Sequence, residues 1–239
     1  MTLYVGTSGW AYPEWKPDFY PPDVSQSRFL SHYARRLDAC EINATFYRVQ
    51  SDKAVKGWWD ATPDGFRFAA KAHRRITHTM RMVPNDNQRA AWDEVFSSLR
   101  PLGERLSVVL MHYPPHRERD DAALRAVIDA LPSDFRFAFE FRNESWLNEE
   151  VAEALDEAGA TLVVSDTSGD PPPSLPPGPV GYVRLRSETY TEDQRAGWLD
   201  LLTAEAEQRD VYAFTKHKGI PVTEDRGGIG LSLWLKKNN

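Results

Sequence analysis

The sequence lacks several features that mark particular classes of protein. Its 239 residues include a single cysteine, Cys40, which excludes an intrachain disulfide and a thiolate-rich metal site. No uninterrupted apolar run approaches the roughly 18 residues that a membrane-spanning helix needs, so we predict no membrane partner. The N-terminus has no basic stretch followed by an apolar one, which argues against a signal peptide. Together these absences predict a cytoplasmic protein.

The sequence also has fewer basic than acidic residues. Lysine and arginine number 29 against 35 aspartates and glutamates, which gives a net charge of -6. A general binder of nucleic acid usually carries a basic excess, so the composition disfavours a nucleic-acid partner without excluding a local site. The one basic stretch is segment 71–82, "KAHRRITHTMRM", which has a length and charge that suit phosphate contact. We favour the interpretation that it is a loop covering one end of the fold.

The sequence does have a regular alternation of short apolar strands and helical segments. Between most strands the apolar residues recur at helical spacing, but segment 167–179 is dominated by prolines and cannot form an ordinary α-helix. The predicted strands are 3–8, 39–46, 66–72, 107–113, 136–142, 161–166, 181–187 and 210–217. The predicted helices are 25–37, 51–62, 86–103, 120–132, 148–159 and 192–208, with a weaker one at 227–237.

This rhythm predicts an α/β fold, a (β/α)8 TIM-type barrel in a single domain over residues 1–239, with the sixth helix interval replaced by a Pro-rich loop. An open doubly wound sheet is the alternative. The turn after the first predicted strand, "GTSGW", lacks the Gly-x-Gly-x-x-Gly spacing of a dinucleotide site. We therefore expect no cofactor.

The segment "RFAFEFRNESW" (136–146) sets the orientation of the fifth strand. Phe137, Phe139 and Phe141 alternate with polar residues, as expected of a strand. We predict that the phenylalanines face the helices and that Glu140 and Arg142 face the barrel interior near its mouth. A shift of one residue would reverse this assignment.

Most of the other strands also end in polar residues. Active sites of such barrels lie at the C-terminal ends of the strands, so these residues are the candidate site. The predicted catalytic acids or bases are Glu41, Glu140 and Asp166. The predicted substrate-binding residues are Asn43, Lys71, His112, Arg142, Arg184 and Arg186. Strand eight offers Lys216 or His217, depending on which of them faces inward.

The spacing of the strands predicts how these side chains are layered. Lys71, Arg142 and Arg184 come from alternate strands, which contribute to a common layer in eight-stranded barrels, so we expect them to converge. Glu41 and Asp166 come from the intervening strands and should partly neutralise them. The purely structural alternative is a set of buried ion pairs, such as Glu41 with Lys71 and Asp166 with Arg184, that serve no chemistry.

Aromatic residues are frequent in the loop after the first strand, "GWAYPEWKPDFYPP". Their rings could stack on a flat substrate, or they could pack the loop against the barrel. We predict substrate contact for Trp10 and Tyr12, and packing for Trp15 and Phe19.

Several motifs, in order along nearly the whole chain, resemble those of the DUF72, or YecE-like, family: "GTSGWAYPEWKPDFYPP", "EINATFYR", "FRFAAKAHRRITH", "FAFEFRNESW", "VVSDT" and "YVRLR". The resemblance implies a TIM-type barrel and no particular reaction. The polar strand-end residues of the family correspond here to Glu41, Asn43, Lys71, Glu140, Arg142, Asp166 and Arg184. The chain departs from the commoner pattern at His112, where many members have Gln, and in "FTKHKG", where many have an Asn-rich end.

The cationic residues favour a metal-independent enzyme that acts on a small anionic substrate, either phosphorylated or a carboxylate. Arginine suits bidentate binding of both groups, and a carboxylate would move the proton. One alternative is a metal-dependent phosphodiesterase or nuclease-like barrel, with ligands drawn from Glu41, His112, Glu140, Asp166 and His217. Another is a ligand-binding protein without catalysis. The sequence leaves the oligomeric state open.

Overall fold

The computed structural model describes residues 1–79, 81–217 and 219–239, and in these residues nine parallel strands form one sheet in the order β6-β5-β4-β3-β2-β1-β9-β8-β7. The strands are β1 (Leu3–Ser8), β2 (Ala39–Ile42), β3 (Arg67–Lys71), β4 (Leu106–Tyr113), β5 (Phe137–Phe141), β6 (Thr161–Leu162), β7 (Val164–Asp166), β8 (Gly181–Leu185) and β9 (Val211–Thr215).

The predicted sixth strand is divided into β6 and β7, and this division closes the barrel. Strand β6 pairs with β5, through Phe139 and Leu162, whereas β7 pairs with β8, through Ser165 and Arg184. The segment 161–166 therefore joins the two ends of the sheet. The predicted TIM-type barrel is confirmed.

Helices lie between the strands, mostly where the sequence predicts them. They are α1 (Phe29–Tyr33), α2 (Ala44–Tyr47), α3 (Asp52–Asp60), α4 (Arg74–Thr77), α5 (Asp86–Leu99), α6 (Asp121–Ala130), α7 (Glu149–Glu157), α8 (Glu192–Ala206) and α9 (Gly228–Asn238). Short 3-10 turns occupy Pro13–Trp15, Gln26–Arg28, Arg100–Arg105 and Glu144–Trp146. As predicted, the segment 167–179, which lies wholly within the described residues, contains no helix.

Two of the predicted boundaries are wrong. The second strand ends at Ile42 rather than at residue 46, because Asn43 already has helical backbone angles and begins the single turn of α2. The predicted first helix is largely a 3-10 turn followed by the five residues of α1. The glycine-containing C-terminal helix α9 does form, and it is held by buried side chains such as Ile229 and Leu235.

The core has an outer and an inner layer. Phe137, Phe139 and Phe141 pack between the sheet and the helices, where Phe141 stacks on Trp146 with ring centroids 4.2 Å apart. Glu140 lies on the opposite face of the same strand and is fully buried. The predicted orientation of the fifth strand is thus observed.

The barrel interior is filled by a smaller apolar cluster that includes Ala138, Val108, Leu110, Tyr182 and Phe214. Polar residues replace these side chains towards the C-terminal ends of the strands. Among the described residues, no helix combines the length and the apolar character that crossing a membrane requires.

Candidate functional site

Arg184 is the centre of a buried polar cluster at the C-terminal end of the barrel. It lies two residues after the inward-facing Tyr182 on β8 and meets two carboxylates, one from β2 and one from β5. Its Nη2 lies 2.8 Å from Glu41 Oε1, and its Nη1 lies 2.5 Å from Glu140 Oε2. The sequence suggested that Glu41 pairs with Lys71 and that Asp166 pairs with Arg184. Within the described residues, the short ion pairs of Arg184 are instead those with Glu41 and Glu140.

Glu41 is completely enclosed by donors. Arg184 donates to it from Nε and Nη2, at 2.9 and 2.8 Å, in the bidentate arrangement that matches a guanidinium to a carboxylate. The hydroxyls of Ser8 and Tyr182 donate at 2.7 and 2.9 Å, and Arg186 Nη2 approaches to 3.5 Å. Both carboxylate oxygens are therefore occupied, which leaves this group little capacity to take up a proton.

Glu140 is held on one side only. Oε2 accepts from Arg184, and His112 Nε2 lies 3.9 Å away from the same oxygen. Oε1 is buried and has no hydrogen-bond partner among the described residues, and Arg142 Nη1 lies 3.6 Å from it. A buried carboxylate oxygen without a partner is unusual, because each such group loses the free energy of its hydrogen bonds to water.

The arginines keep both carboxylates ionised. Burial alone would raise the pKa of Glu41, but the charges of Arg184 and Arg186 outweigh burial and hold that pKa well below its ordinary value. For Glu140, burial likewise opposes ionisation, and Arg184 again brings the pKa below its ordinary value. Burial would lower the pKa of Arg184, but the two carboxylates raise it.

Further cations surround this trio. Burial, followed by the charge of Arg184, lowers the pKa of Lys71 to about 8. Its ammonium lies 4.3 Å from the centre of the Phe46 ring, a favourable cation–π distance. Arg186 is also buried, which lowers its pKa to about 10, so it stays charged at neutral pH.

Positive charge is in excess in this cluster. Lys71, Arg142, Arg184 and Arg186 contribute four cations, and Glu41 and Glu140 contribute two anions. The cluster thus carries about two unbalanced positive charges below the pKa of Lys71. The predicted convergence of Lys71, Arg142 and Arg184 is observed in part, because Arg142 lies at the rim and its side chain is 42% exposed.

His112 is a neutral imidazole in this setting. Burial is the main cause that lowers its pKa, to about 4, and the nearby cations add to this effect although Glu140 opposes it. Its ring stacks on His78 with centroids 5.6 Å apart. Nδ1 is buried and has no hydrogen-bond partner in the described parts of the chain.

Tyr12 and Trp10, predicted to contact substrate, are separated by the fold. The Tyr12 hydroxyl donates to the Ser8 carbonyl at 2.7 Å, and its ring stacks on His217 at 4.3 Å, so it lies at the mouth. Trp10 instead meets Trp58 edge to face at 5.7 Å, within the outer apolar layer. The ring of Trp10 thus packs against Trp58 and Phe68, and its contact with a substrate stays a prediction.

Trp15 and Phe19 are buried in the outer apolar layer, as predicted. In the eighth predicted strand, Phe214 faces the interior, and Lys216 lies two residues later on the same face. Its Nζ is 4.0 Å from Glu188 Oε1. Two residues of the segments discussed above, Met80 of 71–82 and Lys218 of "FTKHKG", lie outside the described residues.

Asp166 does not join the cluster. One of its oxygens accepts from the backbone of Ser168 and Gly169, and the other accepts from the Tyr190 hydroxyl at 2.5 Å. Ser165, one residue earlier, pairs in register with Arg184. Ser165 therefore faces the barrel interior. The expectation that Asp166 does so and neutralises the cations is wrong, because the strand is shifted by one residue from the predicted phase. Asn43 has moved out of the strand into the start of α2, so it does not share the predicted face with Glu41.

Sequence reasoning also missed three inward-facing hydroxyl groups: those of Ser8 and Tyr182, which donate to Glu41, and that of Ser165, whose residue pairs in register with Arg184. The signal for Ser8 was available, since it is the last residue of the first predicted strand. Within the described residues, no group of three or more His, Cys, Asp or Glu side chains is arranged to hold a metal ion. The carboxylates that a metal would need face Arg184 instead.

Comparison with known proteins adds the family context. A family model described as "Protein of unknown function DUF72" matches residues 4–220. UPF0759 protein YunF of Bacillus subtilis is 28% identical over 151 residues, and UPF0759 protein YecE of Escherichia coli is 25% identical over 199 residues. The matched segments cover 61% and 81% of this chain but only 52% and 66% of those relatives, so the chain spans about half to two thirds of their length.

Solved structures show the same fold. A DUF72 family protein from Thermotoga maritima superposes with a TM-score of 0.77 at 22% identity, covering 100% of this chain and 99% of that one. One from Enterococcus faecalis gives a TM-score of 0.75 at 16% identity, covering 99% and 94%.

Proposed function

This chain belongs to the DUF72 family, and from its own residues we propose that it is a metal-independent enzyme that acts on a small anionic substrate at the C-terminal end of the barrel. The observation that carries the proposal is the unbalanced positive charge around Glu140. A phosphate or carboxylate group would neutralise that charge, and the guanidinium of Arg142 reaches solvent and is available to it.

Glu140 is the proposed general base. Its Oε1 is ionised, buried and without a hydrogen bond among the described residues, so it can take a proton from a substrate that lies beside Arg142. The proton moves from the substrate to Oε1, and the negative charge that develops on the substrate is stabilised by the neighbouring cations. Lys71, with a pKa near 8, is the candidate acid that returns a proton.

Glu41 is the proposed positioning residue for Arg184. Its four short hydrogen bonds consume both oxygens, so its role is to fix the guanidinium that in turn holds Glu140 Oε2. A second carboxylate able to exchange protons is not needed for this chemistry.

A metal-dependent phosphodiesterase is less well supported. A divalent ion at this site would need Glu41 and Glu140 as ligands and would have to displace Arg184 from both. It would also sit among three further cations, which oppose it electrostatically.

The test is a comparison of the wild-type protein, Glu140→Gln and the matched control Glu153→Gln, which alters an exposed glutamate of α7. Each is assayed with EDTA against a panel of phosphorylated sugars, nucleotides and small carboxylic acids. We expect wild type and Glu153→Gln to turn over the same compound and Glu140→Gln to be at least about 100-fold slower, as is typical when a general base is lost.

Equal turnover by all three proteins would remove Glu140 from the mechanism. Activity that disappears with EDTA and returns with a divalent metal would favour the phosphodiesterase. Binding of a panel compound without turnover would favour a ligand-binding protein.

A further inference from the structure

Strand β6 closes the barrel only as far as Leu162, and beyond it the wall opens between the C-terminal parts of β5 and β7. Strand β5 pairs with β6 as far as Leu162, and the last bond between them runs from the Val163 N–H to the Phe139 carbonyl. The chain then continues as β7, which pairs with β8. The C-terminal parts of β5 and β7 thus diverge. Because segment 167–179 contains no helix, the Pro-rich loop covers the outside of this opening together with α7 and the residues that precede it.

A cavity of about 690 Å³ occupies the opening. This volume lies within the range of roughly 300–1,000 Å³ that is typical of small-molecule sites. Most of its apolar wall comes from α7 and the residue Leu147 before it, from strands β6 and β7, and from the Pro-rich loop: Leu147, Ala152, Leu162, Val164, Leu175 and Pro177.

The loop over the cavity is held firmly. Arg209 donates to the carbonyls of Pro176 and Gly178 at 2.8 and 2.9 Å, and it is itself paired with Glu205 at 2.7 Å. The Glu205 carboxylate also accepts the backbone N–H of Leu175. The cavity is therefore preformed, which reduces the entropy cost of filling it.

One end of the cavity is polar and adjoins the proposed catalytic site. Arg142 and Ser165 both line it. Ser165 Oγ is buried and has no hydrogen-bond partner among the described residues, and neither has Glu140 Oε1, which lies 3.6 Å from Arg142 Nη1. The unpartnered Ser165 hydroxyl and the Arg142 guanidinium are both donors that line the same cavity, so they indicate a place where the acceptor atoms of a ligand supply the missing partner.

We propose that the cavity binds the apolar tail of an amphipathic anion, whose phosphate or carboxylate head lies against Arg142 and Ser165. This inference rests on the proposed function and names the class of substrate: an anion with a short alkyl or aryl chain rather than a bare phosphate or a highly hydroxylated sugar phosphate. The head accepts hydrogen bonds from the guanidinium and the hydroxyl, and the tail extends beneath the Pro-rich loop.

The first experiment is calorimetric titration of the wild-type protein with inorganic phosphate, ethyl phosphate, butyl phosphate and hexyl phosphate. Each buried methylene group contributes at most about a fourfold gain in affinity, so affinity should rise steadily along the series. The neutral probe 1-hexanol should bind much more weakly than hexyl phosphate.

The second experiment uses Leu147→Ser, which removes apolar surface from the cavity at a side chain that is already 52% exposed, so folding should be preserved. Tyr47→Ser is the matched control, since Tyr47 is 67% exposed and does not line the cavity. We expect hexyl phosphate to bind at least threefold more weakly to Leu147→Ser, with inorganic phosphate unchanged, and no effect of Tyr47→Ser.

The outcomes separate the two proposals. If inorganic phosphate binds but affinity does not rise with chain length, the amphipathic class is wrong while the proposed anion site stands. If 1-hexanol binds as tightly as hexyl phosphate, or if both serine variants behave alike, the inference is also wrong. If no phosphate compound binds the wild type, the anion site of the proposed function fails and the inference fails with it.

Discussion

Replacing Glu41 by Gln should destabilise the protein more than almost any other isosteric change. Glu41 is fully buried and makes a bidentate pair with Arg184 at 2.8 and 2.9 Å. Glutamine keeps the shape but directs an NH2 group at the guanidinium, which leaves a buried arginine short of an acceptor. Removing one partner of a buried ion pair costs about 3–5 kcal/mol. Glu140 still holds Nη1 of Arg184, so we expect a value near 3 kcal/mol, the low end of that range.

The free energy of unfolding is measured by urea denaturation at neutral pH. The matched control is Asp60→Asn, which breaks the exposed pair between Lys56 and Asp60 at 2.7 Å. An exposed pair of this kind contributes less than about 1 kcal/mol. The same midpoint for Glu41→Gln and Asp60→Asn would refute the view that Glu41 fixes Arg184.

The pH dependence gives a second readout. The folded-state pKa of Glu41 is depressed, so the stability it contributes is fully present above the unfolded pKa of about 4.3 and is lost as the pH falls towards the folded value. The wild type should therefore lose stability more steeply than Glu41→Gln below about pH 4.3. Parallel curves for the two proteins would contradict the depressed pKa.

Three further predictions concern single residues of the site. Affinity for inorganic phosphate should fall as the pH rises through about 8, because Lys71 loses its charge there. In a calorimetric pH series Lys71→Met should remove this inflection, and an unchanged inflection would exclude Lys71 from the anion site. His112 should remain neutral down to about pH 5, because burial lowers its pKa to about 4, and an imidazole NMR titration with a midpoint near 6.5 would contradict this. Asp166→Asn should lower the free energy of unfolding by about 1–3 kcal/mol, because it weakens the hydrogen bond from Tyr190. Phosphate affinity should be unchanged, and a large loss of affinity would show that Asp166 belongs to the anion site.

The regular parts of the fold were readable from the sequence. The alternating phenylalanines around Glu140 fixed the orientation of β5, because one face of that strand packs on helices and the other does not. The phase of "TLVVSD" could not be read in this way. Leu162 packs in the outer apolar cluster and Val163 in the inner one, so both faces of this segment are apolar before it reaches Ser165 and Asp166, and the pattern could not show which of these two residues faces inward.

Contacts between strands that are not neighbours in the barrel could not be predicted from the sequence. Strands β2 and β8 are separated in the sheet by β1 and β9, so the pairing of Glu41 with Arg184 depends on barrel closure and on the length of the arginine side chain. The position of the Trp10 ring could not be predicted for a related reason. An aromatic residue in a long loop is equally compatible with the mouth and with the outer layer, and only packing against Trp58 decides.

The most direct test of the account is calorimetric titration of inorganic phosphate into the wild-type protein, Arg142→Glu and Arg89→Glu. Arg142 lies at the rim and is 42% exposed, so charge reversal there should leave the fold intact. Arg89 is an exposed arginine of α5 and serves as the matched control. We predict that wild type and Arg89→Glu bind phosphate with equal affinity and that Arg142→Glu does not bind it. Equal binding by all three proteins, or no binding by the wild type, would contradict an anion site at the barrel mouth.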